Sequence, residues 1–188
     1  FQEKEIKVDL LIGNPPWVNF SDLEETYKEK TKHLYLYFGL VKNQKDLLLG
    51  NARTDIATLV IAKVLHANLN KNGKAIFFLP LSIFQNDGAN QEFRNYNIRG
   101  VDFAVEDILD FNGEKIFEDI LGRYGVAYFQ RDKKQKFPIK YHILTNRKWK
   151  THKARPLFNP TDPLTVFDSA ESESRLDNFQ KISLPKYC

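Results

Sequence analysis

The chain has 188 residues, of which 42% are hydrophobic and 28% are charged, a composition typical of one globular domain with a hydrophobic core. Its formal net charge of +4 is compatible with a polyanionic partner without requiring one. The single cysteine excludes disulfide frameworks and cysteine-rich zinc sites and favours a reducing compartment, and the four histidines lack the spacing of metal ligands.

No stretch of the sequence approaches the ~20 apolar residues that a membrane span needs, and the first residues do not form a signal peptide. We therefore expect a cytoplasmic chain without a membrane partner. The chain contains no methionine and begins at Phe1, a few residues before an apolar run. We expect it to be a piece of a longer polypeptide.

The first predicted element is a buried parallel strand over residues 7–13, K-V-D-L-L-I-G. Asn14-Pro15-Pro16 follows, and proline neither donates to a ladder nor continues a helix, so the chain must turn at the end of this strand. Residues 21–43 are expected to be helical in part.

A strand–helix–strand unit comes next. Apolar residues recur at helical spacing over residues 55–68, with Thr54 as the expected N-cap and Asn72-Gly73 as the end of the element. Residues 74–79, K-A-I-F-F-L, predict another buried strand. This order predicts a βαβ unit with a parallel sheet and a right-handed crossover.

Further along, a second helix is expected near residues 91–96 and strands over 101–109 and 125–130. The last of these is expected to pair with residues 139–144 as an antiparallel hairpin at the sheet edge. The prediction is an α/β fold whose sheet is mostly parallel, with a terminal antiparallel hairpin. Prolines and polar residues become frequent after residue 145. We expect one domain over residues 1–145 and a linker or the start of another domain over 146–188.

The residues after the first strand predict a ligand site, because open α/β sheets bind ligands at the carboxyl ends of their strands. The Asn14 side-chain oxygen and the Pro15 carbonyl can accept the two N–H bonds of a planar amino group, and Pro16 leaves no competing local donor. Trp17 offers a flat face for stacking. The alternative is an Asn-Pro turn that ends a strand, with Trp17 as a core aromatic.

These residues resemble a known family. V-D-L-L-I-G-N-P-P-W, residues 8–17, resembles motif IV of the adenine-N6-specific DNA methyltransferases of restriction-modification systems, particularly those that fuse methylase and nuclease. Residues 53–65 are similar to motif V, residues 73–84 with Phe93-Arg94 to motif VI, and residues 115–119 to motif VIII. The resemblance covers about two thirds of the chain.

The resemblance implies part of a Rossmann-like methyltransferase sheet, an adenine flipped out of double-stranded DNA, and direct methyl transfer from S-adenosylmethionine. It makes Phe117 a second aromatic over the base, opposite Trp17; the alternative is a core phenylalanine. It places Asp55 on the cofactor side; the alternative is an aspartate stabilised by the helix dipole. Arg53 and Arg94 are expected to be surface or phosphate residues.

One feature of the family is missing. The glycine-rich loop and the acidic residue that hold the cofactor should precede motif IV, and nothing before Asn14 can be either. The chain is therefore expected to carry the base pocket and at most half of the cofactor pocket. It would need the missing cofactor-binding half of the methylase domain as a partner, and it should be inactive alone.

Residues 131–155 contain ten Lys or Arg and one acidic residue, interleaved with aromatics. This pattern suits a phosphate backbone, and the alternative is a solvated edge hairpin with a linker. The predicted DNA-binding residues are Lys133, Lys134, Lys136, Lys148 and Lys150.

Two other functions remain open at this point. One is a methyltransferase for another planar nitrogen, such as RNA guanine or a protein glutamine, for which a short chain with N-P-P-Y and no basic extension would fit better. The other is a non-catalytic DNA-binding module or nuclease scaffold with a methylase-like fold. Intact Asn14-Pro15-Pro16-Trp17 argues against such decay, whereas the missing cofactor loop keeps this alternative open.

Overall fold

The computed structural model describes residues 6–43, 45, 47, 54–88, 90–112, 114, 122–168, 172 and 174. Within these ranges eight strands form one sheet in the order β1-β2-β5-β4-β6-β7-β8, with β3 paired to β4. The strands are β1 (Val8–Gly13), β2 (Leu69–Pro80), β3 (Asn97–Ile98), β4 (Val101–Asp110), β5 (Tyr124–Arg131), β6 (Ile139–Thr145), β7 (Lys148–Pro156) and β8 (Leu164–Phe167).

The described helices are short. They are α1 (Glu25–Tyr37), α2 (Ile56–Lys63) and α3 (Ser82–Gln85), with a π-helical turn over Val64–Asn68 and 3-10 turns over Phe20–Asp22 and Glu92–Asn95. Within the described part of the chain, no helix combines the length and the apolar character needed to span a bilayer.

The helix predicted over residues 55–68 is confirmed, but its ends differ from the prediction. Asp55, not Thr54, occupies the N-cap position, and its side chain makes no capping bond. Asn72-Gly73 does not end the helix, because it lies inside β2. Asn72 has a φ of 60°, and the register of β1 against β2 shifts between Val8 and Leu10, so the pair forms a bulge in a continuous strand.

The predicted α/β class and the parallel pairing of β1 with β2 are confirmed. The sheet is more mixed than the expected mostly parallel one, because β5 lies antiparallel between β2 and β4, and β7 lies antiparallel between β6 and β8. Five strands, β1, β2, β4, β6 and β8, nevertheless run in one direction.

The predicted hairpin between residues 125–130 and 139–144 is wrong. Both edges of β5 are occupied, by β2 and β4, and β6 instead pairs in parallel with the far edge of β4. The hairpin at this side of the sheet joins β6 to β7 through Asn146-Arg147. The predicted domain boundary after residue 145 falls in this turn, so strands on either side of it belong to one sheet.

The core lies against one face of the sheet. Alternate residues of β2 and β5, such as Phe77 and Phe129, are fully buried together with Ile61 of α2 and Phe84 of α3. The residues between them in β2 and β5 are half-buried. On β1, Leu10 and Ile12 are 53% and 71% exposed. The second face therefore has less cover within the described residues.

Arg94 was expected at the surface, and this expectation is wrong. Its side chain is 1% exposed and donates to the carbonyls of Ile83 and Thr161, each at 2.8 Å. Burial lowers the pKa of its guanidinium. The guanidinium carries several donors, so one side chain satisfies carbonyls from α3 and from the loop before β8.

Because β1, β2, β4 and β6 run in one direction, their carboxyl ends lie at the same end of the sheet, which we call the carboxyl edge. The antiparallel strands β5 and β7 begin at this same edge, since Tyr124 pairs with Pro80 and Lys148 pairs with Thr145.

We predict that Gly125→Ala destabilises the fold strongly. A Cβ at Gly125 would lie 2.1 Å from the Leu109 carbonyl oxygen, so the backbones of β4 and β5 would have to separate. We expect a loss of at least about 2 kcal/mol in the free energy of unfolding, measured by urea denaturation.

Gly13→Ala is the matched control, because its Cβ would meet only the Phe77 side chain at 3.1 Å. That ring can shift, so the loss should be smaller. Equal losses in the two variants would contradict the close approach at Gly125.

Candidate active site

The strand β1 ends at Gly13, opposite Phe77, and the chain leaves the sheet at Asn14. Asn14 and Pro16 are exposed, whereas Pro15 is buried. No described residue donates a hydrogen bond to the Asn14 side chain or to the Pro15 carbonyl. Neither acceptor therefore has a donor among the described residues, and the prolines supply no N–H of their own at this end of the strand.

Trp17 is half-buried beside these acceptors. Its ring lies 5.0 Å from that of Phe78 and 5.9 Å from that of Tyr124, measured between centroids, and its Nε1–H donates to the Phe78 carbonyl at 3.4 Å. Because β1 ends opposite Phe77, the Trp17 indole lies beside β2 at the position where the next residue of β1 would otherwise have paired. The packing fixes the ring while part of it stays accessible.

The segment after Trp17 is fastened to the start of α2. The Val18 carbonyl accepts from the Ile56 N–H at 2.9 Å, and the Phe20 N–H donates to the Thr54 carbonyl at 2.9 Å. Asn19 and Asp55 thereby form an isolated antiparallel bridge. Two regions far apart in sequence, the N-P-P-W turn and the start of α2, become one rigid unit.

Asp55 faces Asn90 instead of capping α2. The Asn90 Nδ2–H donates to the Asp55 carboxylate at 2.9 Å, and the Asn90 Oδ1 accepts from the Asp55 backbone N–H at 3.0 Å. Burial raises the pKa of Asp55, the Asn90 hydrogen bond opposes this rise, and the charge of Asp22 adds to it. Asp55 makes no ion pair with a cation of the described residues.

Tyr35 lies close to Asp55 and was not anticipated from the sequence. It is fully buried, and its hydroxyl has no hydrogen-bond partner within the described part of the chain. Burial is the main cause that raises the pKa of Tyr35, and the Asp55 charge adds to it. A single tyrosine inside a helix gives no signal in the sequence that could have identified it.

Two further aromatic residues extend the site. Phe111, just after β4, lies 6.0 Å from Tyr124, and Trp149 of β7 lies 5.5 Å from Phe111, between ring centroids. Sequence reasoning treated Trp149 only as part of a basic segment and missed its link to Trp17. Phe117, the predicted second aromatic over the base, lies outside the described residues.

A buried polar cluster supports the same edge. Asp110 is fully buried at the end of β4, pairs with the partly exposed Arg123, and accepts from the Tyr141 hydroxyl at 2.7 Å. The Gln85 amide donates to that hydroxyl, and the Asn112 N–H donates to Asp110 at 2.7 Å. The Arg123 guanidinium thus compensates a carboxylate that would otherwise be buried without a countercharge.

The predicted DNA-binding lysines fall into two groups. Lys148 and Lys150 are exposed at the start of β7, on the carboxyl edge with Asn14. Lys133, Lys134 and Lys136 follow β5 and lie at the opposite edge. The two groups lie at opposite ends of β6, whose seven residues span about 20 Å.

Lys133 pairs with Glu106, so its charge is partly compensated. Lys134 and Lys136 are exposed. The sequence could not separate the two groups of lysines, because it gives only their spacing along the chain. The strand β6 that lies between them is visible only in the structure.

We predict that Asn90→Ala raises the pKa of Asp55 further, because it removes the hydrogen bond that lowers this pKa. The ionised carboxylate loses its donor, so this part of the destabilisation should be fully present above the Asp55 pKa of the folded variant and disappear below the Asp55 pKa of the folded wild type. Urea unfolding at about pH 7 and about pH 3 measures it.

The variant also loses the bonds of Asn90 to the Asp55 N–H and the Thr54 hydroxyl, which give a loss independent of pH. Asn90→Asp/Asp55→Asn, which exchanges the two side chains, is the matched control. An identical loss for Asn90→Ala at the two pH values would contradict the interaction.

Known proteins share this architecture. The type IIL restriction-modification enzyme MmeI, solved in complex with DNA, has a TM-score of 0.50 and 18% identity over 81% of this chain and 19% of its own. A structure from an assembly of a type I restriction-modification system has a TM-score of 0.50 and 13% identity over 94% of this chain and 31% of its own. At these identities the likeness shows the fold, and it confirms the predicted Rossmann-like sheet.

At the level of sequence, the uncharacterized protein MG422 of Mycoplasma genitalium is 34% identical over 95 residues. This match covers 50% of the chain and 10% of MG422, so the chain spans a small part of its relatives. The sequence model described as Eco57I restriction-modification methylase matches residues 1–117, more than half of the chain. The chain therefore belongs to the Eco57I restriction-modification methylase family.

Proposed function

We propose that this chain forms the base-binding half of an adenine-N6-specific DNA methyltransferase that belongs to a restriction-modification enzyme. The observation that carries the proposal is a pair of acceptors without a described donor, Asn14 Oδ1 and the Pro15 carbonyl, directly before the half-buried Trp17 at the carboxyl edge. Membership of a methylase family supports it. So does the likeness to MmeI, which was solved with DNA.

The two acceptors suit the amino group of adenine. The lone pair of this nitrogen is delocalised into the purine ring, which makes it a poor nucleophile. Acceptors for both of its N–H bonds draw electron density onto the nitrogen and favour a tetrahedral geometry there. Trp17 supplies a face on which an extruded base stacks, an interaction worth ~1–3 kcal/mol.

Residues of this chain also fit the cofactor, S-adenosylmethionine, which when bound supplies a methyl group on a cationic sulfonium. The Asp55 carboxylate is partly buried, lacks a cation among the described residues, and is tied to the N-P-P-W turn through Asn19. A carboxylate in this position suits a positively charged ligand group. The Tyr35 hydroxyl, which is buried and has no hydrogen-bond partner among the described residues, offers a further polar contact.

The basic residues suggest how DNA approaches. Lys148 and Lys150 share the carboxyl edge with Asn14, so we assign them to phosphates near the target base. Lys133, Lys134 and Lys136 are about 20 Å away. We assign them to a more distant stretch of the same backbone.

The exposed side of β1 is the docking surface that we propose for the missing cofactor-binding half. The described residues supply no strand to its outer edge, and Leu10 and Ile12 expose apolar side chains on the less covered sheet face. An open apolar edge strand invites pairing. Since the chain spans 19% of MmeI and 10% of MG422, its relatives contain ample further sequence.

We predict that Asn14→Ala abolishes methyl transfer by the full-length parent protein. Removing one acceptor for the amino group should lower the rate at least about 100-fold, the loss usual for a group aimed at developing charge. The measurement is incorporation of tritiated methyl from S-adenosylmethionine into unmethylated genomic DNA, with the product identified as N6-methyladenine.

Asn95→Ala, an exposed asparagine remote from the carboxyl edge, is the control and should retain activity. If a folded, cofactor-binding parent labels RNA or a protein amide instead of DNA, the adenine assignment is wrong. If it labels none of these, the non-catalytic alternative replaces it.

We also predict that the isolated 188-residue chain neither methylates nor binds cofactor tightly. It carries Asp55 but neither a glycine loop nor a ribose-binding acid before Asn14. Isothermal titration with S-adenosylmethionine should give no micromolar binding, whereas the full-length parent should give it. Micromolar affinity of the isolated chain would contradict the proposed division of the cofactor pocket.

A further inference from the structure

A row of aromatic rings leads from the proposed base site to Trp149. Trp17 contacts Tyr124, Tyr124 contacts Phe111, and Phe111 contacts Trp149, with centroid distances of 5.9, 6.0 and 5.5 Å. Tyr124 is buried and Phe111 is half-buried, whereas Trp149 at the outer end of the row is 45% exposed. An indole is thus held at the surface in continuity with Trp17.

The hairpin that carries Trp149 is firmly held. β6 pairs with β7 along its whole length, and the turn residues Asn146 and Arg147 have φ values of 51° and 59°, as in a tight two-residue turn. The Arg147 N–H donates to the Glu114 carboxylate at 3.1 Å, and the Asn112 amide donates to the Thr145 hydroxyl at 3.4 Å. These bonds fix the hairpin tip to the segment after β4.

Three cations surround the indole in sequence, namely Arg147, Lys148 and Lys150, and all are exposed. None of their charged groups pairs with a carboxylate within the described part of the chain. Along β7 the side chains of Lys148 and Lys150 point to the sheet face opposite that of Trp149, so indole and cations share the hairpin tip from two sides. An exposed indole and unpaired cations on one hairpin tip match a nucleobase and its flanking phosphates better than an apolar protein surface, which would leave the cations without counterions.

We propose that Trp149 stacks on a nucleobase that lies next to the extruded adenine in the bound DNA. The inference rests on the proposed function, because extrusion of one base removes a stacking partner from its neighbours. A rigid indole at the end of the aromatic row replaces that partner, while Arg147, Lys148 and Lys150 hold the backbone. Trp149 is a positioning residue and does not contact the reacting atoms.

The test measures the affinity of the full-length parent protein for a DNA duplex that contains the sequence it methylates. Trp149→Ala should weaken binding about 5- to 100-fold, the range for loss of one stacked base. Trp149→Phe should retain most of the affinity, which also controls for folding. Phe158→Ala removes another exposed aromatic, which follows β7 at the opposite edge, and should change nothing.

The decisive measurement is a double-mutant cycle that combines Trp149→Ala with duplexes that each carry one abasic site. The abasic sites are placed, one at a time, at the nucleotides that flank the adenine on both strands. At one position the wild-type protein should lose affinity while Trp149→Ala loses none further, because the base that Trp149 contacts is already gone. The slope of affinity against salt should stay unchanged in Trp149→Ala and fall in Lys148→Ala.

Unchanged affinity of Trp149→Ala would overturn the inference. A penalty of equal size on every abasic duplex would also overturn it and would assign Trp149 to a contact with protein. The cycle reads binding and not methyl transfer. If the wild type methylates DNA but the cycle shows no position-specific effect of Trp149, this inference alone is wrong. If the wild type does not methylate DNA, the proposed function is wrong.

Discussion

The end of β1 at a pair of prolines is the constraint on which the site depends. Asn14-Pro15-Pro16 cannot extend the ladder with β2, so the chain leaves the sheet opposite Phe77. The Pro15 carbonyl, which a longer strand would pair, has no described donor, and the Phe78 carbonyl accepts from the Trp17 indole. After this interruption of the ladder, backbone hydrogen bonds to Thr54 and Ile56 tie the segment back to the start of α2.

The antiparallel strands complete the site. Because β5 runs opposite to β2 and β4, it begins at their carboxyl ends and brings Tyr124 against Trp17. Because β7 runs opposite to β6, it begins at the same edge and adds Trp149 and two lysines. Asp110 is buried within the sheet at the end of β4, between β5 and β6, where Arg123 and Tyr141 stabilise its charge.

The apolar surface of the sheet is covered unevenly. The core covers one sheet face, whereas β1 presents Leu10 and Ile12 on the other face and an outer edge that no described strand pairs. Exposed apolar edges tend to associate. Under the proposed function, this edge is where a cofactor-binding half would dock.

The sequence by itself determined the features that depend on local sterics and periodicity. Proline geometry predicted the end of β1 and thereby the turn at Asn14 to Trp17, and helical spacing predicted α2, whereas Asp55 was named only by the resemblance to the methyltransferase family. Tertiary structure decided what depends on strand order. It inserted β5 between β2 and β4, buried Arg94, divided the lysines between two edges and aligned Trp149 with Trp17. Residues that meet across strands far apart in the chain leave no periodic signal, because their contacts arise only when the sheet assembles.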